Sequence, residues 1–251
     1  FFFIGLIDDK INLNAYLKLF ITAITVIIIL YTSDNLIINT IYSETFSKKY
    51  VFKISSIFFT CLCILLLINA INLADGINSL VNNMILIWLL FIQIHFNLSN
   101  YFYIILFFLG INSYFIYMGK YFLGDSGTLS LGFFVSSMLI FSYNNNLENY
   151  LSIETIFLLL MLPGIDMFRL FLKRLLKKRD PFSRDNEHLH HVLLKHFGLF
   201  YSNLIYLTLI VLPILLDYML DLKTIFIIFV VLIIYGYFFL LNKYANRPLK
   251  T

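Results

Sequence analysis

Long unbroken apolar runs constrain this chain more than any other feature. "FITAITVIIILY" (20–31), "IFFTCLCILLLI" (57–68) and "IFIIFVVLIIYGYFFLL" (225–241) carry no charge at all. Hydrocarbon offers no water to satisfy backbone N–H and C=O groups, so only helices and closed barrels cross it. A barrel needs alternating strands of roughly ten residues, and these runs do not alternate. The fold class is therefore all-α, a polytopic transmembrane helix bundle. A spanning helix needs about 20 mostly apolar residues. The pattern predicts about eight complete spans, near 14–31, 54–71, 81–96, 101–118, 128–142, 153–170, 202–220 and 224–241. A partial span precedes them at 1–7. Composition agrees: 61% of residues are hydrophobic and 13% charged, whereas soluble domains are nearer half and a quarter. The opening "FFFIGLIDD" reads as a helix already under way. Residues 1–251 are thus expected to form one integral-membrane domain, truncated at its N-terminus.

Lysine and arginine orient the bundle. The loops at one end, together with the tail, hold 14 of the 18 basic residues; the other end holds Lys48, Lys49, Lys53 and Lys223. The richer end is expected to face the cytoplasm, and it includes a histidine-containing loop at 171–200. Basic residues with interleaved aromatics are not grouped into a patch, so no nucleic-acid partner is expected. Cys61 and Cys63 lie inside an apolar run and read as small core residues. Asp8, Asp9, Asp75, Asp125 and Asp166 all read as acids at cytoplasmic helix ends. A charge at mid-membrane costs roughly 2.5–3.5 kcal/mol on insertion scales, and these five would avoid that cost at the boundary.

Four stretches carry the chemistry. In "GLIDDK", Asp8 and Asp9 are adjacent carboxylates that perturb each other's titration and suit a hard cation; Lys18 lies within reach of the same interface. In "NAINLADGINSL", Asn69, Asn72, Asp75 and Asn78 recur every three residues, which on a helix makes one polar stripe. An interhelical hydrogen-bond ladder would look the same. In "KYFLGDSGTLSLGF", Asp125 lies between Gly124 and Gly127. Ser126 and Thr128 could cap the helix that starts there, Lys120 adds a cation, and a free helix N-terminus binds anions. The "GDSG" string is not a serine-protease signature here, because no scaffold for a triad can form. In "DPFSRDNEHLHHVLL", His188, His190 and His191 accompany Arg184. Zinc is disfavoured because no cysteine is near and the spacing is not H-E-x-x-H. Imidazoles beside an arginine suit a diphosphate better. His95 reads as structural, and His196 takes no role. Acids for a metal, amides for a polar ligand and cations for phosphate, all at one membrane face, describe phosphoryl transfer.

In order and spacing, these stretches resemble the polyprenyl-phosphate N-acetylhexosamine-1-phosphate transferase superfamily (glycosyltransferase family 4). The histidine stretch is most similar to the undecaprenyl-phosphate GlcNAc-1-phosphate transferase branch. The resemblance implies transfer of a sugar-1-phosphate from a UDP-N-acetylhexosamine to polyprenyl (undecaprenyl) phosphate, with release of UMP, in envelope polysaccharide synthesis. It implies Mg²⁺, with Mn²⁺ as an alternative, and a multi-pass protein of the bacterial inner membrane with a cytoplasmic active site. It assigns Asp8, Asp9, Asp75 and His188 to catalysis. Lys18, Asn69, Asn78, Lys120, Arg184, His190 and His191 are assigned to substrate, and Asp125 and Asn72 to the metal. The expected partners are the two substrates and the bilayer, with a homodimer left open. This chain departs from the family pattern at Asn78, where a second Asp is usual, at Ser79 where Gly is common, at Asn186 where Arg is common, and at Met118-Gly119 in place of Pro-Ala. A membrane transporter and a non-catalytic homologue remain the alternatives.

Overall fold

A computed structural model describes residues 1–145, 151–182, 186–219 and 223–245, with side chains as far as 241. Nine helices are described: α1 (Phe2–Ile11), α2 (Ala15–Thr32), α3 (Ser56–Ala74), α4 (Leu80–Phe96), α5 (Phe102–Tyr117), α6 (Gly124–Asn145), α7 (Ile153–Leu176), α8 (Leu189–Met219) and α9 (Thr224–Ala245). The protein is a multi-pass membrane helix bundle. Six helices, α2, α3, α6, α7, α8 and α9, are long and apolar enough to cross a membrane. The expected spans at 81–96 and 101–118 correspond to α4 and α5, which are shorter, at 17 and 16 residues.

Local chemistry sets the helix ends. Asn12 adopts a left-handed conformation that stops α1, and the Asn14 side chain accepts the Tyr16 N–H to start α2. Asn takes this backbone region more easily than most residues. Ser152 caps α7 by accepting from the Thr155 N–H. α8 is two helices joined across Gly198, whose φ of 73° breaks the helical path. The segment expected as a histidine loop is therefore largely helical: α7 runs on to Leu176 and α8 begins at Leu189.

α4 is the interior helix. Its Leu80, Met84, Ile85, Trp88, Leu89 and Ile92 are fully enclosed. α2 and α9 expose most of their apolar surface, as helices facing lipid would. Gly132 brings α6 against α3, where an added Cβ would lie 3.2 Å from Ile68 Cα. Gly5 does the same for α1 and α6. Small residues of this kind let membrane helices approach closely.

At one end of the bundle a two-stranded antiparallel hairpin, β1 (Thr40–Ser43) and β2 (Lys48–Val51), joins α2 to α3. No strand is expected there from sequence. Glu154, at the start of α7, holds it by accepting from Ser43 Oγ at 2.5 Å and from the Glu44 N–H at 3.1 Å.

Pro163 lies inside α7 and has no N–H to give the Leu159 carbonyl one turn back. Trp88, the sole tryptophan, fills that vacancy: its Nε1–H donates to Leu159 O at 2.9 Å. Trp88→Phe leaves a buried carbonyl unpaired, at a cost of about 1–3 kcal/mol, and the smaller ring adds a cavity in this fully enclosed site. It should lower the thermal midpoint in detergent. Pro163→Ala in the same background returns a backbone donor and should recover part of the loss; no recovery would dissociate the two residues.

Candidate active site

The polar residues converge at the bundle end opposite the hairpin. Asp8 and Asp9 lie in the last turn of α1, Lys18 in the first turn of α2, Asn72 in the last turn of α3 and Asp125 in the first turn of α6. Lys18 Nζ joins three of these helices, at 2.7 Å from Asp8 Oδ2 and 3.0 Å from Asp125 Oδ1. Asn72 Nδ2 donates to the same Asp125 oxygen and to Thr128 Oγ1 at 2.8 Å.

The adjacent acids differ in setting. Asp8 is buried, and its second oxygen accepts from the Leu13 N–H at 2.7 Å. Asp9 is exposed, and it accepts from the Asp125 N–H at 2.8 Å and the Ser126 N–H at 3.1 Å. The N-terminus of α6, expected to offer an open anion site, is thus capped by an internal carboxylate. The capping role expected of Ser126 and Thr128 falls to Asp9, while Thr128 Oγ1 pairs with Asn72. Gly124 is needed for this: its φ is 66°, and an added Cβ would lie 3.0 Å from Asp9 Oδ2.

The polar stripe of the second motif does not continue along one helix. α3 ends at Ala74, and Asp75 caps it with φ −78° and ψ 65°. Asn69 donates to its own helix, to Leu65 O at 2.8 Å, rather than to the cluster. Asn78 lies beyond the turn, exposed, and its carbonyl accepts from Asn203 Nδ2 at 3.3 Å. Lys120 is exposed and, among the described residues, joins no carboxylate. Arg184 lies outside the described residues.

The turn at Asp75-Gly76 meets the histidines directly. A Cβ on Gly76 would lie 2.1 Å from His190 Nε2 and 2.9 Å from His191 Cε1. His190 is 1% exposed, and both its ring nitrogens are buried without a hydrogen-bond partner. His188 stacks on it with ring centroids 5.4 Å apart. His188 Nδ1 reaches Asp166 Oδ2 at 2.8 Å. Asp166 itself corrects the sequence reading: it lies well inside α7, ten residues before Leu176, not at a helix end. Its environment also includes Arg169 and Tyr235, which sequence reasoning gave no site role.

The geometry is thus an anionic centre, Asp8 and Asp125 on Lys18 with Asp9 on the N-terminus of α6 and Asp75 at the nearby turn, beside a histidine wall. A family model described as glycosyl transferase family 4 matches residues 1–143. The chain belongs to glycosyl transferase family 4. The match spans α1 to most of α6, and so contains the whole Asp8–Lys18–Asn72–Asp125 cluster. The chain is 30% identical over 197 residues to an undecaprenyl-phosphate alpha-N-acetylglucosaminyl 1-phosphate transferase of Thermotoga maritima, covering 78% of this chain and 60% of that protein. It is 28% identical over 204 residues to a probable undecaprenyl-phosphate N-acetylglucosaminyl 1-phosphate transferase of Bacillus subtilis, covering 78% and 56%. A third relative, from Escherichia coli and named as the first is, is 26% identical over 210 residues, covering 77% and 55%. The chain therefore spans a little over half the length of the relatives it matches. The family membership expected from the four motifs is borne out.

Within the family cluster, Asp75 titrates unusually. Although Asp75 stays open to solvent at the turn, its carboxyl loses part of its hydration there, and Asp125 and Asp9 add repulsion, so its pKa rises from 3.8 to about 6. The folded protein then binds a proton more tightly than the unfolded chain. That stabilisation is complete below pH 3.8 and is lost as pH rises through about 6. In metal-free buffer, Asp75→Asn should raise the thermal midpoint at pH 7.5 relative to wild type, and the gap should close toward pH 4. A gap that does not change with pH would remove the charge explanation.

Proposed function

We propose that this chain transfers an N-acetylhexosamine-1-phosphate from a UDP-sugar to a polyprenyl phosphate, releasing UMP, at the cytoplasmic face of a bacterial inner membrane. The single observation that carries the reading is Lys18 held between Asp8 and Asp125 at the basic end of the bundle. The names of the relatives support it, since they specify undecaprenyl phosphate as acceptor and a sugar 1-phosphate as the group transferred.

Two carboxylates hold the Lys18 ammonium, with Asp9 beside them on the N-terminus of α6, so an anionic substrate needs a further cation to enter. The donor chemistry fits Mg²⁺, a hard ion that takes oxygen ligands and often uses only one or two carboxylates beside water and substrate phosphates. Among the described residues no group of three or more His, Cys, Asp or Glu side chains is arranged to hold an ion. Asp125 would hold the metal through Oδ2, which carries no hydrogen bond among the described residues. Asn72 would hold it through its amide oxygen. When bound, Mg²⁺ neutralises phosphate charge that the carboxylates would otherwise repel.

In the reaction, an oxygen of the lipid phosphate attacks the sugar-bearing phosphorus. The bond to the bridging oxygen breaks, and UMP leaves with the electron pair. Little covalent chemistry is required of the protein beyond positioning and charge. Lys18 supplies a cation for phosphate, and buried Asp8 aims it. Asp9, the exposed member of the pair, is the one able to take a proton from the lipid phosphate. His188, His190 and His191 supply donors to the diphosphate, and Asp75 lies at the turn between the two groups.

The test uses the full-length protein in membranes with UDP-N-acetylhexosamines, polyprenyl phosphate and Mg²⁺, scored by UMP release. Asp125→Asn should cut turnover by roughly 10²-fold or more, the scale of losing one transition-state electrostatic contact. EDTA should abolish release and Mg²⁺ restore it. Wild-type turnover in the variant would remove Asp125 from the site.

A further inference from the structure

Asp166 is 3% exposed and lies within a membrane-spanning helix, yet both its oxygens are saturated. Oδ1 accepts from Arg169 Nη2 at 2.9 Å and Tyr235 O–H at 2.7 Å. Oδ2 accepts from the Leu189 N–H at 3.1 Å and meets His188 Nδ1 at 2.8 Å. The donors are themselves ordered. Arg169 Nε donates to Tyr235 Oη at 2.7 Å, and its Nη2 also reaches Glu187 O at 2.7 Å. The guanidinium lies 3.9 Å over the Phe239 ring. α7, α8 and α9 and the start of the histidine segment are therefore tied to one carboxylate.

An ionised carboxylate only accepts hydrogen bonds. Arg169 beside it and three further donors on its two oxygens favour the ionised form. His188 must then carry its proton on Nδ1. Its Nε2 has no hydrogen bond among the described residues and is not among the buried unsatisfied nitrogens, unlike both nitrogens of neighbouring His190. We propose that Asp166, braced by Arg169 and Tyr235, is a positioning residue that holds the Nδ1–H of His188 and fixes the ring's orientation, so that Nε2 faces the site and, once the ring takes up its second proton, Nε2–H is the donor offered to the anionic substrate. This inference rests on the transferase reading for the identity of the substrate; the Asp166–His188 pairing itself does not. Tyr235, on α9, lies far outside the part of the chain that the family model matches, so part of the apparatus would come from the C-terminal helix.

Asp166→Asn tests it without changing volume. The amide must turn its NH₂ either toward Arg169 and Tyr235, where donor meets donor, or toward His188, where it forces the proton from Nδ1 to Nε2. Side-chain ¹⁵N spectra of the folded full-length protein, with His188 assigned by its absence in His188→Gln, should show Nδ1 protonated in the wild type and a changed tautomer in Asp166→Asn. With UDP-N-acetylhexosamine and polyprenyl phosphate, kcat should fall roughly 10²-fold or more while KM moves little, as when a carboxylate that orients a histidine is lost. In the His188→Gln background the same change should add almost nothing, because the two act as one unit. Two results would each overturn the proposal: an unprotonated Nδ1 in the wild type, or an equal kcat loss with and without His188. If the wild type releases no UMP, the transferase reading falls, while the spectra still decide the dyad.

Discussion

Lys18 is the charge on which the arrangement of α1, α2 and α6 depends. An ammonium near hydrocarbon is stable only if its donors are satisfied. Here two carboxylates, from α1 and α6, take that role across separations of 10 and 107 residues. Removing one partner of such a buried pair commonly costs 3–5 kcal/mol, because the other is left uncompensated. The cluster is therefore structural and chemical at once. Asp8 turns inward to hold Lys18, which frees Asp9 to lie at the surface against the N-terminus of α6. The positive end of that helix stabilises the Asp9 carboxylate, and the glycine at 124 lets it come close. One pair of adjacent acids is thus divided into an inner group that holds Lys18 and an outer group that caps α6 at the surface.

A second charge organises the other half of the bundle. Asp166 binds α7, α8 and α9 as Lys18 binds α1, α2 and α6, with the sign reversed. The two centres meet at Gly76, which has no side chain to keep His190 away from the end of α3. The glycine of the "DG" element is explained by this packing alone: any Cβ there would occupy the histidine ring. The turn after α3 and the histidine rings are in this way held close by a steric fit.

Much of this was legible in the sequence, and the reasons for the remainder are physical. Apolar run length announced the spanning helices, because hydrocarbon thickness sets helix length. It was less informative for α4, which is enclosed by other helices and need not match the bilayer. The hairpin at 40–51 was invisible, since it depends on Glu154, more than a hundred residues away. The motif residues were recognisable as types, but their division of labour was not. Asn69 and Asn72 share a helix face, yet one bonds its own backbone and the other reaches Asp125; only the position of α6 distinguishes them. Asp166 was misplaced because the basic run from Lys173 looks like a loop, although Arg174 is buried and donates to Pro181 O at 2.8 Å inside the fold. Tyr235 had no signal at all, being one aromatic among 17 tyrosines and 28 phenylalanines.

The departures at Asn78 and Ser79 take on a different meaning once the backbone is seen. Ser79 has φ 66° and ψ −4° at the start of α4, a conformation that suits the glycine common in the family. A serine pays a steric cost there of order 1–3 kcal/mol unless its surroundings enforce it. They do: Ser79 Oγ accepts from Asn83 Nδ2 at 2.8 Å and from Ser113 Oγ at 3.2 Å, and Ser113 also bonds Asn83. Asn82 continues the network to Leu109 O and Asn112, so α4 and α5 are joined by polar side chains at the same level. Ser79 thus holds the turn and links it to α5, a contact that a glycine could not make. Asn78 itself lies beyond the turn with its side chain exposed, and only its carbonyl is held, by Asn203 Nδ2.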